Sequence, residues 1–570
     1  MRFTTSLILA LLVSVSSGRA DDSAVLRDTL ISNLVFMKSV YQAEYAPAEW
    51  KKSYANWSLD TEIDRAIHAA QSSSNLTVLS TREILKNFIY SMKDYHVSIS
   101  FQSTEQATLP LSIRGTKNKF FIVYIDRTKL SDSAFPFQVG DEVVTFGGKP
   151  TADAVQAVAA EIPANIPGTD QAIASINLTR RRAARGYLVP HGPITLGIKP
   201  DGSDQVHSIE LIWDYVSEKI KSPLEVASET DLTSGLIFPS FENKSSSSRL
   251  LHPVMSGDRL DLGETLSDDS NLLGARKSFI PTLGKTIWES DKEDPFYAYI
   301  YQNEDRKLVG YVRIPAYEAE NYPKAIASFA KIIKRFESST DALVIDQVNN
   351  PGGSVFYLYA LASMLSPQAL STPLHEMAIT PADVMDAQTN LSQLDGVKDD
   401  ESAKKVLGDT LDGFPVSYEV AQFARNYFRF LVGEFEAGHH VSSPYYISGA
   451  DKINPAETHY SKPILLLTNE LDFSGGDFFP AIMQDNKRVT ILGTRTAGAG
   501  GYVNDVTYPN ALGIASFRVT ESIAKRVSDN PIENLGVKPD VEYAITENDF
   551  AHGYADYTKA IRAAVATLLK

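Results

Sequence analysis

The sequence predicts an α/β multidomain protein. Helical periodicity fills most of the first hundred residues, short β-like runs dominate 97–225, and alternating buried strands and helices occupy the chain from Phe296 onward. A length of 570 residues suits three or four domains, or one large catalytic unit with appendages. Hydrophobic and charged fractions of 43% and 22% are ordinary globular values and exclude wholesale disorder. The formal net charge of −16 argues against a nucleic-acid partner, because duplex binding rests on Lys and Arg meeting phosphate. The chain has no cysteine, which removes disulfide frameworks, thiolate zinc sites and cysteine nucleophiles together. A nucleophile here must be an oxygen or a lysine.

The elements follow in order. Arg2 precedes the apolar run Leu7–Val15, and Gly18-Arg19-Ala20 supplies small residues before Asp21. That pattern reads as a cleavable signal over 1–20, so an exported chain, periplasmic or secreted, is expected. The run is too short to span a bilayer, which needs roughly 20 apolar residues, so no membrane span is expected. Residues 21–96 read as helical, with Leu26, Leu30, Leu34 and Met37 on one face and Ile84, Leu85, Phe88, Ile89 and Met92 on another. Over 97–225 the runs Val97–Phe101, Leu109–Ile113, Phe120–Ile125, Glu142–Phe146, Ile194–Ile198 and Ser208–Trp213 read as strands. Gly140-Asp141, the β-rich Glu142–Phe146, Gly147-Gly148 and a helix from Ala152 have the element order of a PDZ domain's second half, a module that adds an extended peptide to a sheet edge. Arg180, Arg181, Arg182 and Arg185 are expected at the end of a helix closed by Gly186, as a solvated cluster without function. Residues 226–290 read as a flexible insert: Ser245–Ser248 is a serine run and Ser256–Ser270 is rich in Asp, Gly and Ser. The remaining 291–570 carry the α/β rhythm.

Two strand–turn–helix units in the last third carry the chemistry. In the first, Ala342–Asp346 has the composition of a buried parallel strand and runs into Asn349-Asn350-Pro351-Gly352-Gly353 before a helix. Backbone N–H groups in such a turn are suited to negative charge. In the second, Pro463–Leu467 leads through Thr468–Phe473 to Ser474-Gly475-Gly476-Asp477 at a helix start. A serine there is either a helix cap or a nucleophile at a sharp turn beside free N–H groups. A third strand, Val489–Leu492, enters the glycine-rich turn Gly493–Gly501, which lacks the Gly-Lys-Ser/Thr of a phosphate loop. His439-His440 and His459 sit in a polar stretch and read as surface residues.

These motifs, with Gly310–Pro315 and Gly536-Val537-Lys538-Pro539-Asp540, occur in the order seen in the tail-specific (C-terminal-processing) serine protease family, which the chain resembles over about 300–545. Many members pair serine with a lysine in a Thr-x-Gly-Lys-Gly turn, but here the turn reads Thr496-Ala497-Gly498-Ala499-Gly500. Alanine takes no proton, so another base is required. Asp94-Tyr95-His96 and Ile532-Glu533-Asn534-Leu535-Gly536-Val537 are similar to a secreted branch of the family that uses Ser, His and Glu. The resemblance implies a crotonase/ClpP-like catalytic domain and a serine endopeptidase acting on protein or peptide substrates, homodimeric when active and needing no cofactor or metal. It implies Ser474 as nucleophile, His96 as base, Glu533 as its partner, and an oxyanion hole from Gly475 with Gly352 or Gly353. It also implies maturation by internal self-processing. Within 240–280, Leu250, Leu251, Val254 and Met255 are suited to lie in the substrate groove as a tethered inhibitor, and the alternative for the same segment is a plain interdomain linker. A non-catalytic peptide- or apolar-ligand-binding protein on the same scaffold stays open at this point.

Overall fold

The computed structural model describes residues 4–219, 250–256 and 269–570. The inserted stretches 226–249 and 257–268, with the serine run, therefore lie outside the described residues. The segment read as a signal is described only as the start of the helix Thr4–Glu44. Among the described residues no helix is long and apolar enough to cross a membrane.

The N-terminal helices Ala48–Ala55, Leu59–Ser72 and Val78–Tyr90 follow the first. Leu30, Leu34, Met37 and Tyr41 meet Leu85, Phe88, Ile89 and Met92 in one core, as their spacing predicts. Phe517 and Val519 join that core from a strand near the other end of the chain. Ile99–Phe101 opens the β-rich segment in sequence, yet it pairs antiparallel with Ile514–Thr520, Ile99 opposite Phe517. The reason is apolar: Ile99 and Phe101 bury into the helical core rather than into the β-rich one.

The β-rich module is an antiparallel sheet in the order Leu111–Thr116, Lys119–Ile125, Glu142–Phe146, Pro193–Lys199, His207–Ile212. Gly147 and Gly148 both have positive φ, 59° and 77°, the backbone of a two-residue hairpin turn with the twist strands prefer. The arginine cluster corrects the sequence reading. The helix Pro167–Leu178 ends before it, and Arg180–Arg182 forms a strand against Gln106–Thr108. Arg181 is buried there because Glu161 accepts from its Nη2 at 2.8 Å through both oxygens.

The last third is built on a seven-stranded sheet. Its order is Lys285–Glu289, Ala298–Gln302, Leu308–Arg313, Ala342–Asp346, Ile464–Thr468, Thr490–Gly493, Val541–Glu542, and pairing is parallel from Leu308–Arg313 onward. The central strands are apolar throughout because both faces are covered. Leu343, Ile345, Ile464 and Leu466 pack with Phe329, Ile333 and Phe336 of the crossover helix Tyr322–Ser339. Val344, Leu465 and Leu467 pack with Tyr557, Ile561 and Val565 of the terminal helix Ala555–Leu568. Both strand–turn–helix units therefore end at the carboxyl edge of one parallel sheet, where such sheets hold their sites.

Candidate active site

The two units meet at their turns. After Ala342–Asp346 the chain passes Asn349 at φ 60°, Gly352 at φ 92° and Gly353 at φ 148°. A Cβ on Gly353 would stand 2.0 Å from Tyr317 O, so only glycine fits. After Ile464–Thr468 the chain reaches Ser474 at φ 58°, ψ −109°, and the helix Gly475–Asp485 begins at once. Such a backbone costs a non-glycine residue about 1–3 kcal/mol and persists only where its surroundings enforce it. Two buried aspartates do so. Asp472 Oδ1 accepts from Asn350 N at 3.0 Å, and its Oδ2 accepts from Asn469 N at 3.0 Å and Gln347 Nε2 at 3.1 Å. Asp477 Oδ2 accepts from Ser474 N at 2.8 Å and Ala499 N at 3.0 Å, while Oδ1 takes Gly498 N at 2.8 Å and the Thr496 hydroxyl. Burial pushes Asp477 up to about 7 against the pull of these four donors.

Ser474 is fully buried, and its Oγ has no hydrogen-bond partner among the described residues. Gly475 lies against the glycine turn: a Cβ on it would sit 3.0 Å from Gly352 Cα and 3.2 Å from Gly353 N. Of the two candidate oxyanion donors in that turn, Gly352 N is already given to Asn350 Oδ1 at 2.8 Å. Val254–Ser256 of the insert forms an antiparallel strand on Gly352–Ser354, with Met255 opposite Gly353, and Val355 N donates to Pro253 O at 3.3 Å.

His96 and Glu533, 437 positions apart in sequence, come together with Asp94. One donor atom of each lies within 4.8 Å of the others, and all three are buried. Asp94 Oδ1 accepts from His96 N at 2.8 Å, and Oδ2 accepts from Tyr45 OH at 3.0 Å and Thr520 Oγ1 at 2.9 Å. The segments bearing His96 and Ser474 touch through an edge-to-face contact of Tyr95 with Phe473, centroids 5.7 Å apart.

Sequence reasoning missed Lys51, on the helix Ala48–Ala55. Its fully buried Nζ donates to Glu533 Oε1, to Asn534 Oδ1 at 2.8 Å and to Lys93 O at 3.0 Å. Glu533 Oε2 accepts from Gly500 N at 2.9 Å. Burial foremost, then the Asp94 carboxylate, pushes Glu533 upward, and Lys51 opposes them. These three side chains form a donor set a cation can use, but each carboxylate oxygen already accepts a hydrogen bond and an ammonium stands beside Glu533. The arrangement fits movement of a proton better than a metal. Ala499, where relatives place lysine, is buried in the apolar core with Leu471 and Phe473. His439 is half-exposed on Glu434, and His440 is exposed.

A strained serine at a strand-to-helix turn beside a glycine turn, with a buried imidazole on a segment that touches it, has the chemistry a serine peptidase needs. Comparison with known proteins gives the same class. The model of peptidase family S41 matches residues 308–543 and that of the PDZ domain matches 105–220. An uncharacterized protein of Chlamydia muridarum is 34% identical, covering 99% of this chain and 96% of its own, and a protein of Chlamydia trachomatis is 33% identical over 99% and 96%. The crystal structure of mature CPAF, the chlamydial protease-like activity factor, aligns with a TM-score of 0.81 at 31% identity, covering 96% of this chain and 98% of that one. The structure of mature CPAF complexed with lactacystin aligns with 0.81 at 32% identity, over 96% and 99%. The chain belongs to peptidase family S41 and is a serine protease with a PDZ module.

Proposed function

We propose that this serine protease is exported, works through Ser474, His96 and Glu533, and is made as an autoinhibited zymogen that becomes active as a homodimer. The observation that carries the triad is the buried group of His96, Glu533, Asp94 and Lys51 set against the turn of Ser474. With histidine neutral, one ammonium faces two carboxylates; when His96 takes the serine proton the buried charge balances. That balance favours the imidazolium as Ser474 Oγ attacks the scissile carbonyl carbon. The Gly475 N–H and the Gly353 N–H of the adjoining glycine turn would receive the oxyanion. His96 then protonates the leaving amine, and water, deprotonated by His96, cleaves the acyl-enzyme.

The zymogen reading rests on two observations. The Val254–Ser256 strand occupies the edge of the glycine turn where an extended substrate would add, and Ser474 Oγ lacks the hydrogen bond that a working base supplies. Leu250 and Leu251 anchor the segment in the catalytic core, and Ser448 Oγ donates to Leu250 O at 2.9 Å. Ser474→Ala and His96→Ala should each abolish peptidase activity with the fold intact, and the double variant should be scarcely worse than either. Near-wild-type turnover in His96→Ala contradicts the triad. Fractionation, the N-terminal residue of the exported protein, and light scattering before and after activation check export and dimerisation.

A further inference from the structure

We propose that the cleft between the PDZ module and the loop ahead of Ser474 binds a compact carboxylate carried on an apolar body. The cleft has a volume of about 290 Å³, does not include the serine, and is lined by both Arg114 and Arg495. Arg114 is 7% exposed, and its Nη2 donates to Glu470 Oε1 at 3.0 Å. Its Nη1 is buried with no hydrogen-bond partner among the described residues, a state that costs stability unless a ligand relieves it. Arg495, half-buried, has no hydrogen-bond or ion-pair partner among the described residues. Two guanidinium forks thus line one cavity with donors unspent, and a planar carboxylate matches that geometry in a way a point charge does not.

The rest of the wall selects the body of the ligand. Phe279, Phe550 and Tyr554 line the same cleft, with Phe279 and Tyr554 rings 4.6 Å apart, a surface for an aromatic or aliphatic group. Glu470 is already engaged, by Arg114 and by Thr494 Oγ1 at 2.9 Å, and Glu542 is exposed among the lining residues. These two carboxylates already balance the two guanidinium charges, so the cleft opposes a dianion more than a monoanion held by the unspent donors. The cleft is also tied to the catalytic loop. Thr169 Oγ1 of the PDZ module donates to Glu470 O at 2.9 Å, four residues ahead of Ser474, so a bound ligand bridges the module and the nucleophile's loop.

Calorimetry on the full chain carrying Ser474→Ala tests this with 3-phenylpropanoate, its neutral amide and inorganic phosphate. Saturable one-site binding of the carboxylate is expected with Kd of about 1 mM, as its few heavy atoms allow. The amide should not bind, and phosphate should bind at least about tenfold more weakly. Arg495→Gln should weaken the carboxylate about tenfold. Gly168 lines the cleft and a Cβ there meets nothing within 4 Å, so Gly168→Phe should fold and block the site. No saturation by about 50 mM carboxylate, equal binding of amide or phosphate, or unchanged affinity in Arg495→Gln or Gly168→Phe overturns the proposal. None of these readouts depends on Ser474 chemistry, so the peptidase reading and this site stand or fall separately.

Discussion

Lys51 holds Glu533 and Asp477 holds the Ser474 turn, and neither role is legible in the sequence. Lys51 follows Trp50 and precedes Lys52 on a short helix, where a lysine pair reads as a solvated face; its partner Glu533 lies 482 residues away. Asp477 reads as a first-turn carboxylate of a helix, and only the folded chain shows it holding Ser474 and the Gly498–Ala499 turn together. Lys51→Met keeps the volume and removes the charge. Glu533, already raised by burial and Asp94, then rises further, and because the rate needs it ionised the acid limb of kcat/KM moves to higher pH. Activity at neutral pH should fall about 10²-fold. An unshifted limb in a pH–rate profile removes Lys51 from the account. For Asp477, the folded value of about 7 exceeds its ordinary 3.8. The folded state therefore binds more protons between those values, and this group's contribution to stability falls as pH rises through about 4 to 7, then levels off, with a slope of at most ~1.4 kcal/mol per pH unit. Asp477→Asn should abolish that slope in urea titrations at several pH values and also lower kcat. A slope equal to wild type contradicts the assignment.

At the scale of elements, the strands and turns of the catalytic sheet were legible because apolar runs bounded by Asn, Pro and Gly have few other uses. Ala342–Asp346, Ile464–Thr468 and the serine turn lie where the pattern put them. What failed was pairing. Ile99–Phe101 joined the far end of the chain, and Arg180–Arg182 formed a strand instead of a helix end, because period and charge say nothing about distant partners. The glycine turn gives a direct test of element geometry. Gly353→Ala places a Cβ 2.0 Å from Tyr317 O at a positive φ, so the turn must move. Peptidase activity should drop at least about 10²-fold while the helical signal in circular dichroism is kept, since a displaced oxyanion donor costs that much. Retained activity shows that Gly353 N–H takes no part.

Across the whole molecule, the proposed site draws on three regions. His96 and Lys51 come from the helical region, Ser474 from the turn after a strand of the catalytic sheet and Glu533 from the loop after Ser522–Lys525, and Leu471, Phe473, Ala497 and Ala499 share one apolar core with the PDZ module. Tyr95 OH donates to Asp170 Oδ1 at 2.6 Å, so the module also steadies the segment bearing the histidine. The family motifs singled out Ser474, His96 and Glu533 one by one; that His96 and Glu533 lie together with Asp94 needed the fold. The insert strand closes the arrangement by lying on the glycine turn. The central claim is that Ser474 is a nucleophile held off by this strand until the chain is cut. Following fluorophosphonate labelling of Ser474 and chain integrity in the same freshly purified sample tests it most directly. Labelling should start low and rise in step with scission between 240 and 280, and His96→Ala should neither cut nor label. Full labelling of the intact chain from the first time point would contradict the account.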